Sequence, residues 1–178
     1  HLDIKKLGRF RQPGHRVTGN RQINSRGGSW EYVHLAIDDH SRVAFASIEP
    51  DERARSAGRA LLLAVRYYRG LGVRFERVLT DNGACYRSRS FRRLVRRLGM
   101  HHLRTRPYTP RTNGKAERLV QTSLREWAYA RAYDSSEQRA HALGPWLHHY
   151  NWHRPHASLG YKPPISRIPL NNVLGLHT

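Results

Sequence analysis

The residues from Trp30 to Ile48 read WEYVHLAIDDHSRVAFASI. Trp30–Ile37 is almost wholly apolar or aromatic, Asp38–Ser41 carries turn chemistry, and Val43–Ile48 resumes a strand. Upstream, Leu2 and Ile4 alternate with Asp3 and Lys5, which predicts another strand. The chain opens on His1 rather than Met and is expected to begin inside that strand, part of which would lie upstream. These three strands are predicted to form an antiparallel meander. Between the first two, Gly8–Gly28 carries Arg, Gly and Pro13 without periodicity and reads as a long, mobile loop or irregular hairpin.

Beyond Pro50 the pattern changes period. Leu61, Val65 and Tyr68 recur at helical spacing within Glu52–Arg69, with Arg53, Arg55, Arg59 and Arg66 at polar positions. Phe75–Thr80 reads as a fourth strand, Phe91, Leu94, Val95 and Leu98 as a second helical face, and His101–Thr105 as a fifth strand. Tyr108–Asn113 is a Pro-, Thr- and Asn-rich loop, and Gly114–Tyr133 is predicted helical with Val120, Leu124 and Trp127 on its apolar face. A last helix is predicted over Ser136–Asn151, capped by Ser135 or Ser136 and kinked at Gly144-Pro145. The remainder, 155–178, reads as an irregular tail of a single domain spanning 1–178. A meander followed by helix-flanked strands predicts an α/β fold. Its sheet should be five-stranded and mixed, an antiparallel meander plus parallel strands, with helices on both faces.

Composition narrows the partner. Lys and Arg number 32 against 13 Asp and Glu, a formal charge of +19 across 178 residues, so a phosphate-rich partner is expected. The 38% hydrophobic and 10% aromatic content is too high for a disordered basic tail. The longest aliphatic run, Ala60–Val65, is far too short for a membrane span of about 20 residues. Cys85 is the only cysteine, which excludes an internal disulfide and a multi-cysteine zinc site, and an intracellular location is expected.

Acidic residues are scarce enough that their settings matter. Asp3 lies in the first strand, Asp81 ends the fourth in Leu79-Thr80-Asp81-Asn82-Gly83, and Glu117 opens a helix in Asn113-Gly114-Lys115-Ala116-Glu117-Arg118. Two strand ends and a first helical turn could bring three carboxylates to one edge. Each also has a structural reading: Asp3 as a solvated edge residue, Asp81 as a turn residue, Glu117 as a helix-dipole partner. His148, His149, His153 and His156 invite a zinc reading, but solvated helix ends are the simpler account. Cys85 has no evident base and no part in phosphoryl chemistry.

The ordered motifs Asp3-Ile4-Lys5, Ile37-Asp38-Asp39-His40-Ser41-Arg42, Thr80-Asp81-Asn82-Gly83, Arg106-Pro107-Tyr108-Thr109-Pro110, Asn113–Arg118, and Tyr150-Asn151 with Arg154-Pro155-His156 carry a family resemblance. At these residues the chain resembles the integrase catalytic core of bacterial insertion-sequence transposases, related to retroviral integrases, within the ribonuclease H-like superfamily. The resemblance implies a ribonuclease H-like sheet and metal-dependent DNA cleavage and strand transfer. Asp3, Asp81 and Glu117 would be the catalytic acids and the ligands of two Mg²⁺ or Mn²⁺ ions. It further implies transposon ends and target DNA as partners, a homo-oligomer in the active complex, no membrane, and a bacterial cytoplasmic, nucleoid-associated location. Lys115, Arg118, Gln121 and Arg125 are the candidate DNA contacts; a merely solvated polar face is the alternative for the last two. The interval from Asp3 to Asp81, 78 positions, is wider than in many relatives and is assigned to the Gly8–Gly28 insertion.

The chemistry is sensible on its own terms. Phosphodiester attack needs an activated oxygen and stabilised attacking and leaving charges, which two hard cations on carboxylates provide. Two alternatives stand beside strand transfer: a nuclease that cuts without joining, and an Arg-rich nucleic-acid binding domain without catalysis. The paired Asp38 and Asp39 are rivals to Asp3, but their turn offers amides to bond, whereas a mid-strand Asp3 is expected to lack a local amide. Their hairpin is expected to lie farther from Asp81 than Asp3 does.

Overall fold

The computed structural model describes residues 1–12, 28–105 and 113–169. Strands β1 (Leu2–Arg9), β2 (Ser29–Ile37) and β3 (Ala44–Glu49) pair antiparallel in that order, with Asp3 opposite Leu35 and Leu35 opposite Ala46. The predicted meander is therefore observed. Helix α1 (Ala54–Gly70) leads to β4 (Arg77–Thr80), and the short helices α2 (Ala84–Arg87) and α3 (Arg89–Arg97) lead to β5 (His101–Arg104), which runs parallel to β4. Ser88 caps α3, accepting the Phe91 N–H at 3.1 Å. Most of the Gly8–Gly28 segment and the Pro/Thr loop at 106–112 lie outside the described residues.

Alternation along β2 builds the two halves of the core. Val33, Leu35 and Ile37 join Leu119, Trp127 and Trp146 on one face, while Ala36 joins Leu61, Tyr68 and Phe91 on the other. Helices thus cover both faces, as expected. Tyr68, fully buried on α1, donates its hydroxyl to the Val43 carbonyl at 2.6 Å and locks that helix to the sheet.

The expected continuous five-stranded sheet is not what the hydrogen bonds form: β1–β2–β3 make one sheet and β4–β5 a second. Strand β4 lies against β1 without a ladder between them. One donor on this edge of β1 is already taken. His1 and Ile37 exchange both backbone bonds, at 2.8 and 3.0 Å, so the odd-numbered amides of β1 face β2 and the even-numbered ones face outward. One of these outward amides, Ile4 N–H, is taken by the Asp3 carboxylate at 2.7 Å, which leaves a four-residue β4 without that donor.

Three further departures sit in the C-terminal half. Helix α4 ends at Ser123 (Gly114–Ser123) and passes into a π-helical turn at Leu124–Ala128, instead of continuing to Tyr133. Its buried residues are Ala116, Leu119, Thr122 and Ser123, and Trp127 follows them in the π turn, while Val120 and Leu124 are only half-buried. The last helix is split into α5 (Ser136–His141) and α6 (Leu143–Trp152), with Ser135 capping the first and the break at Ala142, just before Gly144-Pro145. Within the tail expected to be irregular, 3₁₀ turns at Ala157–Leu159 and Pro164–Arg167 place Ile165 and Ile168 in the core. Short turns joined by extended backbone have no long period, which is why periodicity did not reveal them.

Candidate active site

Strand β1 supplies Asp3, the end of β4 supplies Asp81, and the first turn of α4 supplies Glu117. Asp3 is half-buried and the other two are exposed. Burial foremost pushes the Asp3 carboxyl up to about 6; the Ile4 N–H opposes this, and the charges of Asp81 and Glu117 add to the rise. The amide expected to be missing beside Asp3 is thus present. Asp81 folds back to accept the Gly83 N–H at 2.9 Å, and a side chain at Gly83 would place its Cβ 3.0 Å from that carboxylate oxygen. Glycine is therefore what lets the Asp81 carboxylate close over the turn. Asn82 Nδ2 donates to the Thr105 carbonyl at 2.9 Å, tying the same turn to the end of β5. The charges of Asp81 and Glu117 reach Asp3, but among the described residues no three His, Cys, Asp or Glu side chains close into a metal-holding group.

The Asp38–Asp39 turn has structural work of its own. Asp38 accepts both the backbone N–H and the hydroxyl of Ser41, at 2.8 and 2.7 Å. Asp39 is paired with Lys115, whose ammonium is the main cause holding its carboxyl below the usual range. The His1 ring bonds Asn113 at 3.2 Å through Nδ1 and Asp39 at 3.0 Å through Nε2. This hairpin braces the start of α4 through Lys115 and Asn113, one turn from Glu117.

Helix α4 separates two surfaces. Lys115, Arg118 and Arg125 line a cleft of about 960 Å³, whereas Gln121 does not and is exposed, one turn beyond Glu117. The far wall of that cleft comes from the C-terminal segment, including Arg154, His156 and Tyr161, with Arg42 of the hairpin at its edge. Arg154 and Tyr161 had no assigned role from sequence, although Arg154-Pro155-His156 stood out as a motif. Cys85 is buried, which pushes its thiol up to about 11 and leaves it without nucleophilic character near neutral pH. No helix among the described residues is long and apolar enough to cross a membrane.

The integrase core domain family matches residues 14–110, and a second match of the same description covers residues 98–164. The chain belongs to the integrase core domain family. Over 87 residues this integrase core is 39% identical to the Escherichia coli transposase InsD for insertion element IS2A/D/F/H/I/K, and equally to the InsD transposase for insertion element IS2 on the F plasmid. The aligned stretch is 48% of this chain and 29% of either relative, so the chain matches less than a third of their length.

Solved structures share its fold. The catalytic core domain of BIV integrase superimposes with a TM-score of 0.58 at 20% identity, covering 78% of this chain and 85% of that one. The HTLV-2 integrase catalytic core domain, solved in complex with magnesium in a trimeric form, gives 0.59 at 17% identity and covers 94% and 93%. A chain of the simian T-cell lymphotropic virus intasome, in complex with PP2A regulatory subunit B56 gamma, gives 0.67 at 19% identity, covering 94% and 52%. The integrase core is thus an α/β domain of the retroviral integrase core type.

Proposed function

We propose that this chain is the catalytic core of a DNA transposase, cleaving phosphodiester bonds and transferring strands with divalent cations held by Asp3, Asp81 and Glu117. The observation that carries the reading is Asp3: a half-buried carboxyl held up by burial and by two further carboxylates, an arrangement a shared cation would relieve. The donors are carboxylate oxygens alone, which suits Mg²⁺ or Mn²⁺ rather than a softer metal. When bound, two such ions would activate the attacking oxygen and stabilise the leaving one. Asp3 supplies its carboxylate from the most desolvated position, Asp81 from a turn set by Gly83, and Glu117 from an exposed first helical turn. The magnesium of the HTLV-2 core, its trimeric form and the viral intasome support, for this chain, a divalent cofactor and an oligomeric assembly on DNA.

The test is product analysis with labelled DNA ends and Mn²⁺. Joined strands are expected; hydrolysed ends only would identify a nuclease, and binding without metal-dependent cleavage would leave a nucleic-acid binding domain. Association itself is expected to be chiefly electrostatic, with the log–log salt slope on duplex rising by about 0.9 per phosphate contact. A flat salt response measured by fluorescence anisotropy would contradict this.

A further inference from the structure

The cleft between α4 and the C-terminal segment gathers cationic side chains and left-handed backbone in one place. Lys115, Arg118, Arg125, Arg154 and Arg42 line it, and among the described residues they pair with only two carboxylates, Asp39 and Glu126. Arg118 has no ion-pair partner among the described residues. Arg154 is held in position by two bonds to Glu126, at 2.7 and 2.8 Å. His156, on the same wall, carries a buried Nε2 with no hydrogen-bond partner among the described residues.

The backbone adds an independent observation. Among the described residues only two non-glycine residues have positive φ, Arg42 at 66° and Tyr161 at 61°, and both line this cleft. Left-handed backbone favours glycine, and strained positions of this kind concentrate at ligand clamps. Here one such position presents a guanidinium and the other an aromatic ring that is 75% exposed. Tyr161 directly follows Gly160, which is itself left-handed at φ 62°, so the chain turns twice in succession and holds the ring out at the rim.

We infer that this cleft binds a single strand of DNA, its phosphates tracking Arg118, Arg125, Arg154 and Arg42 while an unpaired base stacks on Tyr161. A cationic groove with an aromatic platform is how single strands are held without sequence preference. A duplex has no free base face to offer Tyr161. The inference rests on the proposed function only in naming DNA as the polymer; the cleft does not include Asp3, Asp81 or Glu117.

The test is fluorescence anisotropy of the whole chain with a ten-residue oligothymidylate and with a duplex of equal length, in EDTA so that no chemistry occurs. Tyr161→Gly removes the ring and relieves the left-handed backbone, so its Tm should not fall. Single-strand binding should weaken about tenfold while duplex binding changes less than twofold. Tyr161→Trp, which restores a stacking face, should retain wild-type affinity. Arg42→Gly should lower the single-strand salt slope by about 0.7, the value of one phosphate contact. Unchanged single-strand affinity in Tyr161→Gly, or an equal loss on duplex, would overturn the inference. Because cleavage is not measured, a chain that binds through Tyr161 but cuts nothing would sink the proposed function and leave this inference standing.

Discussion

Replacing Asp3 by Asn is expected to reduce metal-dependent cleavage and joining by about 1,000-fold or more, while raising the thermal stability of the metal-free protein at pH 7. The two effects share one cause. An Asp3 carboxyl pushed up to about 6 from its ordinary 3.8 keeps a proton in the folded chain that the unfolded chain has lost. Stability is therefore highest below pH 3.8, declines as pH rises from there to about 6, and stays low above it. Allowing for partial exposure, the penalty at neutral pH is about 2 kcal/mol. Asparagine carries no charge, and its Oδ1 still accepts the Ile4 N–H. Melting curves at pH 4 and pH 7 check the sign: the variant's advantage should be present at pH 7 and shrink on acidification. An active Asp3→Asn protein would remove Asp3 from the site, and one less stable than wild type at pH 7 would refute the electrostatic account.

Asp39→Asn makes the contrast. Its carboxyl is held below the usual range by Lys115, so ionised Asp39 favours the fold above pH 3.8 and the contribution fades as pH falls. The side chain is largely exposed, so the loss should stay within about 1 kcal/mol and chemistry should remain measurable.

Asn151→Ala is expected to destabilise the chain by about 3 kcal/mol, lowering Tm by roughly 6–12 °C. Asn151 is 1% exposed on α6, and its amide does for Ala44 what a neighbouring strand would do. It accepts the Ala44 N–H at 2.7 Å and donates to the Ala44 carbonyl at 2.8 Å, with a further bond to the Tyr67 hydroxyl at 3.1 Å. Alanine would leave a buried donor and acceptor unmet and a void beside them. Asn151→Asp should also fail, since a carboxylate cannot donate to the Ala44 carbonyl. Urea unfolding should show a lower midpoint with the slope unchanged. A loss of less than about 0.5 kcal/mol would mean that water replaces the amide at no cost.

Tyr150-Asn151 shows how far a motif can be read. The sequence marked the pair as distinctive, but the partner of Asn151 lies 107 positions away at the start of β3, a distance no local pattern reports. The same holds for Arg139, buried on α5, which bonds Glu31 and the Gly8 carbonyl, each at 2.7 Å. Cationic residues are ordinarily read as solvated, and only the closing of α5 over β1 and β2 makes this one a clamp.

Period and local chemistry were enough, from the sequence alone, for the meander, the amphipathic α1, a cap at Ser135 or Ser136 and the position of Asp81 in a turn. Each rests on side chains within a few residues of one another, where the 2.0 and 3.6 periods act directly. Packing decided the rest. Whether β1 and β4 share a ladder is decided by how the two sheets meet, and none forms between them. Which side of α4 is buried depends on the sheet face it meets, where Ala116 and Leu119 pack with Val33, Leu35 and Ile37. The 3₁₀ turn at Pro164–Arg167 is held because Ile165 and Ile168 find apolar partners on a face made by α1. Arg42 and Tyr161, 119 positions apart in sequence, meet at one cleft only when the β2–β3 hairpin and the C-terminal segment close over α4. Contacts of that range are selected by the burial of whole faces against one another, so they are properties of the assembled core and not of any single segment.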